Sequence, residues 1–316
     1  MKVAHTLQIS PVQAMGKTLS WFLRFAVLFI LYFALFAVGG KIVGPYLPNV
    51  TAEPGPVPMM TGFWISCTAI TLVIMAMVYS SRWHGLKLMA AMSAAYYLVV
   101  TVVTQLEAWY FLYGVTIGPE LMSRLFLQGL PVAFIFIPLA VLIMGRFRAH
   151  GTETPDVRSM SLKEWLWRLG LIYIVYLLLY FAAGHFIAWQ NPEVRAFYGS
   201  PGPALPFFEQ MLHILRTDPW LVPYQLIRTL IWVAGALLII RGSRLPLWWT
   251  ALVVGLVLSV PQNIGHLMPN PLIPLNSVRI SHLIETASST FVFGIIVTWL
   301  TYPKYNFKTS NQGELQ

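Results

Sequence analysis

Charge is scarce in this chain: 10% of the 316 residues are charged and 57% are hydrophobic, where a soluble domain carries roughly a quarter charged. That shortage excludes an ordinary soluble enzyme, because the apolar runs here persist for whole membrane thicknesses before a charge breaks them. Cysteine is nearly absent. Cys67 is the single one, so no intrachain disulfide can form, and its place inside an apolar run makes it a small core residue. Acidic residues are few as well, 11 against 20 Lys and Arg. The net charge of +9 falls in short clusters between apolar runs instead of on one face, which argues against a nucleic-acid partner. Met1 to Ser20 holds no cleavable signal peptide, so the first apolar run is expected to act as its own signal-anchor. P-loop, dinucleotide, two-His zinc and Gly-x-Ser-x-Gly patterns are missing too, which removes nucleotide-driven pumping and the hydrolases those motifs mark.

What is there is a series of eight apolar runs, near 21–40, 61–80, 87–111, 122–145, 165–189, 219–240, 245–267 and 279–301, each close to the 20 or so residues that cross a bilayer. The expected fold class is all-α: a polytopic integral membrane protein of eight transmembrane helices. Twelve Lys and Arg residues, among them Lys2, Arg82, Arg146, Arg158, Arg244 and Lys304, fall on one face of this arrangement. Five fall on the other: Lys41, Arg124, Arg195, Arg216 and Arg279. By the positive-inside rule both termini lie in the cytoplasm, in a plasma membrane. Tryptophans at both ends of the runs mark the headgroup levels. The organisation read from this is a cytoplasmic tail (1–20), a four-helix half (21–145), a cytoplasmic linker (146–164), a second four-helix half (165–301) and a cytoplasmic tail (302–316).

Two features lie outside the runs. Residues 204–216 place Leu205, Phe208, Met211, Leu212 and Leu215 at helical spacing opposite Glu209, His213 and Arg216, which predicts an amphipathic helix on the outer surface, a place for lipid or a protein partner. Residues 42–60 and 269–276 are rich in proline and read as irregular outer loops. A weak internal repeat also emerges. At an offset of 144, Trp21, Arg24, Ile30, Tyr32 and Gly40 match Trp165, Arg168, Ile174, Tyr176 and Gly184. At 159, Glu107 falls opposite His266, and at 155 Arg124 falls opposite Arg279. These matches predict two parallel four-helix repeats with any site between them.

A charged side chain at a helix centre costs about 2.5 to 3.5 kcal/mol on insertion scales, so those retained are paired or functional. Arg228 is expected roughly 13 Å inside its helix, too deep to reach water along its own stem. Glu107, just below Trp109 and Tyr110, is the natural carboxylate for it or for Arg124. Arg279, His282 and Glu285 recur every three residues on the last helix, His266 closes the seventh and His185 lies in the fifth. Gln105, Gln128, Gln262 and Asn263 occupy the same level. All fall in the outer half or at the midplane, which describes a polar layer open to the non-cytosolic side.

Three functions fit this layer. In the first, a transporter or receptor for a small molecule or ion uses Arg228, with Arg124, Arg279, Gln105 and Asn263, to bind its ligand. In the second, a membrane metalloenzyme acting on a lipid or translocated substrate holds Zn, Mn or Fe on His266, His282 and Glu285, with Glu107 as general base and Glu285 within the reacting site. In the third, the layer is structural and the chain is a subunit of a membrane assembly.

Overall fold

The computed structural model describes residues 11–148 and 160–303. The ends of both expected tails and the middle of the linker, with Lys2, Arg158, Lys304 and Lys308, lie outside these residues. All regular elements among the described residues are helical. Eight helices are long and apolar enough to cross a membrane: Thr18–Tyr46, Met59–Ser80, Gly85–Leu112, Pro119–Ile143, Leu162–Gln190, Leu221–Gly242, Leu247–Leu267 and Asn276–Thr301. The chain is therefore built as a multi-pass membrane protein, and these helices are its first to eighth spans.

Several helices outrun the apolar stretches that predict them, since a helix continues past the hydrocarbon boundary as long as its backbone is satisfied. The fifth span starts on a capping box, with Ser161 Oγ accepting from Glu164 N and the Glu164 carboxylate accepting from Ser161 N. The third and fourth spans each widen into a π-helical stretch, at Tyr97–Val102 and Val132–Phe136. The second of these precedes Pro138, which has no N–H to give to an ordinary α-turn.

The first span packs on the second and fourth, the second on the third and fourth, and the third on the fourth. Likewise the fifth packs on the sixth and eighth, the sixth on the seventh and eighth, and the seventh on the eighth. Between the two sets, the third meets the sixth and seventh, and the second meets the seventh. Small residues allow the closest approaches. A Cβ on Gly235 would stand 2.3 Å from Val99, and one on Gly294 would stand 2.7 Å from the Gly255 backbone, the small-residue packing that membrane helices use in place of a hydrophobic drive. In the most apolar windows of the second and sixth spans 56% of residues are buried, against 17% and 22% in the first and fifth. The latter two therefore line the periphery, with Leu23, Ile30, Ile174 and Leu178 exposed.

We call near the side where the first span begins and the eighth ends, and far the opposite side. Near-side loops between the second and third spans and between the sixth and seventh clasp each other. Arg82 N donates to Gly242 O at 2.6 Å, Arg244 N donates to Ser80 O at 2.9 Å, and Ser81 and Ser243 form an antiparallel bridge. Each serine hydroxyl accepts a backbone N–H two residues on, from Trp83 and from Leu245, both at 3.1 Å. The Arg146 guanidinium donates to Ser81 O. Burial, then the neighbouring Arg244 charge, draw its pKa below the usual arginine value.

On the far side the amphipathic helix is present as Phe207–Thr217, three residues later than the periodicity predicts. Pro206 disfavours helical backbone at Leu205, so the helix can begin only after it. Phe208, Leu212 and Leu215 are exposed on one stripe, Glu209, His213 and Arg216 on another, while Phe207, Gln210 and Ile214 turn inward.

Candidate functional site

The sixth span begins at Leu221 because Asp218, Pro219 and Trp220 stay outside it. Arg228 is thus seven residues in, roughly 10 Å by helical rise and shallower than the 13 Å expected, yet only 3% exposed. Its Nη2 donates to Glu107 Oε2 at 2.8 Å and its Nη1 to Gln225 Oε1 at 3.1 Å. The Glu107 side chain keeps 33% of its surface accessible. The rings of Tyr176 and Tyr224 lie 5.9 and 5.7 Å from the guanidinium carbon, close enough for a cation–π contribution. Arg228 Nε, Gln225 Nε2 and Tyr224 Oη have no hydrogen-bond partner among the described residues. Each such buried group costs about 1–3 kcal/mol.

A second polar group stands beside the first. His282 Nδ1 is 2.9 Å from Glu285 Oε2, and its Nε2 is 3.0 Å from the Tyr198 hydroxyl. Tyr198 follows the short helix Pro192–Phe197, which starts on an Asn191 cap with Pro192 in its first turn. Its ring packs against Phe111, one helical turn beyond Glu107, at 6.4 Å. Burial first, then the charges of Glu107 and Glu285, hold the Tyr198 phenol well above the ordinary tyrosine pKa. Both carboxylates therefore act on one hydroxyl, and Tyr198, His282 and Glu285 form a hydrogen-bonded chain able to pass a proton along it.

Asn263 is buried and taken up by neighbours: its Nδ2 donates to Ser259 O at 2.7 Å and its Oδ1 accepts from Thr286 Oγ1. Gln262 joins the seventh span to the third by accepting from Thr104 Oγ1 at 3.3 Å. Gln105 is half-buried and has no hydrogen-bond partner among the described residues. Gln128 lies against Gly39. The His185 ring sits edge-on to Phe207 of the amphipathic helix at 5.2 Å, with Nδ1 unpartnered.

Other expected site residues stand apart. Arg124 lies over the Tyr46 ring, 4.9 Å from its centroid, with Nη2 donating to the Tyr46 hydroxyl at 3.2 Å. It does not reach Glu107's neighbourhood through any hydrogen bond or ion pair among the described residues. Arg279 is fully buried and donates to the carbonyls of Ile273, Pro274, Glu53 and Pro54 at 2.7–3.2 Å. It binds together the two far-side loops. Between those loops lies an open recess of about 380 Å³, lined by Pro54, Gly55, Pro56, Pro58 and Pro269 among others, with no ionisable side chain in its lining.

Among the described residues, His266, His282 and Glu285 are not brought together as a three-ligand group for a metal. Both ring nitrogens of His282 are engaged by Glu285 and Tyr198, and the His266 ring is 6.3 Å away, centroid to centroid. A bound ion needs every donor about 2 Å from one point. Among the described residues no group of three or more His, Cys, Asp or Glu side chains could hold a metal.

No match emerged. Comparison with protein families, curated proteins and solved structures found nothing similar to this chain. Its chemistry must be read from the side chains alone. Tyr198, Tyr224 and Gln225 are the residues sequence reasoning missed. Asn191-Pro192-Glu193 announces the helix that carries Tyr198, and Tyr224 and Gln225 sit one turn before Arg228 on the same helix.

Proposed function

We propose that this protein is a carrier that binds a small molecule or ion at Arg228 and Glu107 and moves it across the plasma membrane by rocking two four-helix halves against each other. The halves are the first four and last four spans, related by an axis along the membrane normal. Support comes from packing that maps onto itself: the pairings inside one half recur in the other, and so do the peripheral and buried positions. Tyr32 meets Phe136 at 5.4 Å in the first half, and Tyr176 meets Phe293 at 4.8 Å in the second. The near-side clasp is reciprocal, with Arg82 and Arg244, 162 residues apart, donating to each other's loops. The excess of Lys and Arg on that side supports placing it in the cytoplasm.

The observation that carries the reading is the position of one ion pair. Arg228 belongs to the second half and Glu107 to the first, and the pair lies toward the far side with its carboxylate one-third accessible, while the near side is held shut by the clasp. Such a protein presents its site outward and closes inward. Tyr198, His282 and Glu285 offer a route for a proton to accompany the ligand.

Thiol labelling tests this. With Cys67→Ala as background, Glu107→Cys should react with a membrane-impermeant maleimide added outside cells and not with the reagent confined inside inverted vesicles. Labelling from the cytoplasmic side alone, or from neither side in folded protein, contradicts the proposal.

A further inference from the structure

Resting on that reading, we infer that the ligand is a small monocarboxylate and that Glu107 is its built-in competitor for Arg228. Nε and Nη2 form one edge of the guanidinium, the edge that receives the two oxygens of a carboxylate side by side. Glu107 fills only half of it. Its Oε2 sits on Nη2 at 2.8 Å, and Nε has no acceptor. Gln225 Nε2 and the Tyr224 hydroxyl, on the same face of the same helix, have none either. These residues are 0–6% exposed. The amide orientation of Gln225 is set by chemistry, since only its oxygen can face the Arg228 Nη1 that it accepts from.

The surplus is thus of donors around a fixed positive charge, which selects an acceptor-rich anion over a cation. The Tyr176 and Tyr224 rings lie 5.9 and 5.7 Å from the guanidinium carbon and crowd it, which selects a small one. Charge balance then demands that Glu107 yield. Two carboxylates on one arginine repel, and Glu107, one-third accessible where Arg228 is buried, is the group with room to turn away. The arriving carboxylate takes the Nε–Nη2 edge, while Gln225 keeps Nη1. The ion pair between the halves is exchanged for an ion pair to the ligand, so occupancy loosens the far-side contact between them.

Competition predicts opposite signs at the two partners. In purified full-length protein, the thermal midpoint is followed against sodium formate, acetate, propionate and benzoate, with sodium chloride and phosphate as controls. Glu107→Gln should lower the half-saturating concentration of the stabilising carboxylate about tenfold or more, because the competent fraction of the site rises. The double variant Glu107→Gln, Arg228→Gln, which leaves no unpaired charge and so should fold, should lose the response. An unchanged or weaker response in Glu107→Gln, a response that survives in the double variant, stabilisation by phosphate alone, or none by any carboxylate overturns the inference. If far-side labelling at position 107 still holds, that failure removes only the ligand class. Failed labelling removes the carrier itself.

Discussion

Three arginines are buried among the described residues, Arg195, Arg228 and Arg279, and the last two do different work. Arg279 donates only to main-chain carbonyls and Asn276, so it fastens two proline-rich loops that have few hydrogen bonds of their own. Arg228 meets one carboxylate and one amide side chain, and each of the two arginines leaves its Nε without a partner among the described residues. The difference predicts different behaviour on substitution. Arg279→Lys keeps the charge but lacks the planar fork that reaches carbonyls on both loops, and the loss of several charge-assisted bonds should cost on the order of 3 kcal/mol. Unfolding monitored by intrinsic fluorescence should show it, with the carboxylate response intact in the protein that remains folded. A destabilisation below about 0.5 kcal/mol would mean the loops hold without it. At this scale the Arg228–Glu107 pair was legible in sequence, because a buried guanidinium demands a carboxylate and Glu107 was the acid at its depth in the other half. The task of Arg279 was not, because its partners are backbone oxygens that no residue type announces. Tyr198 was hidden for a related reason: its importance comes from a loop fold that brings it onto His282.

Helix existence followed directly from composition, since apolar stretches of membrane length allow no other backbone. Their ends and irregularities did not. The π-helical stretches at Tyr97–Val102 and Val132–Phe136 carry ordinary apolar residues, and the amphipathic helix shifted because a single proline outweighs periodicity. Close helix crossings were equally silent. Among the 22 glycines, Gly294 meets the Gly255 backbone, whereas Gly170 has nothing within 4 Å of an added Cβ. Gly294→Val should therefore force the seventh and eighth spans apart and leave little folded protein, while Gly170→Ala should fold as well as the parent or gain up to about 1 kcal/mol. Size-exclusion profiles in detergent distinguish the two. Equal tolerance would deny the close crossing that places Asn263 against Thr286 beside the site.

Across the whole molecule the near-side clasp and the far-side ion pair lie at opposite ends of the contact between the first four and the last four spans. Helix-by-helix resemblance in the sequence, as between Tyr32 and Tyr176, is the basis for the proposed halves, yet the clasp itself is made by backbone groups of Ser80, Arg82, Gly242 and Arg244, which leave no mark in residue spacing. An antiparallel bridge holds its Cα atoms about 4.5–5.5 Å apart, within the span of a disulfide. A Ser81→Cys, Ser243→Cys pair can therefore be oxidised to lock the near side. In proteoliposomes the locked protein should bind the stabilising carboxylate as tightly as the reduced form while its uptake stops, and dithiothreitol should restore uptake. Undiminished uptake by fully cross-linked protein, or loss of binding on cross-linking, would contradict a site that faces away from the clasp and needs it to open.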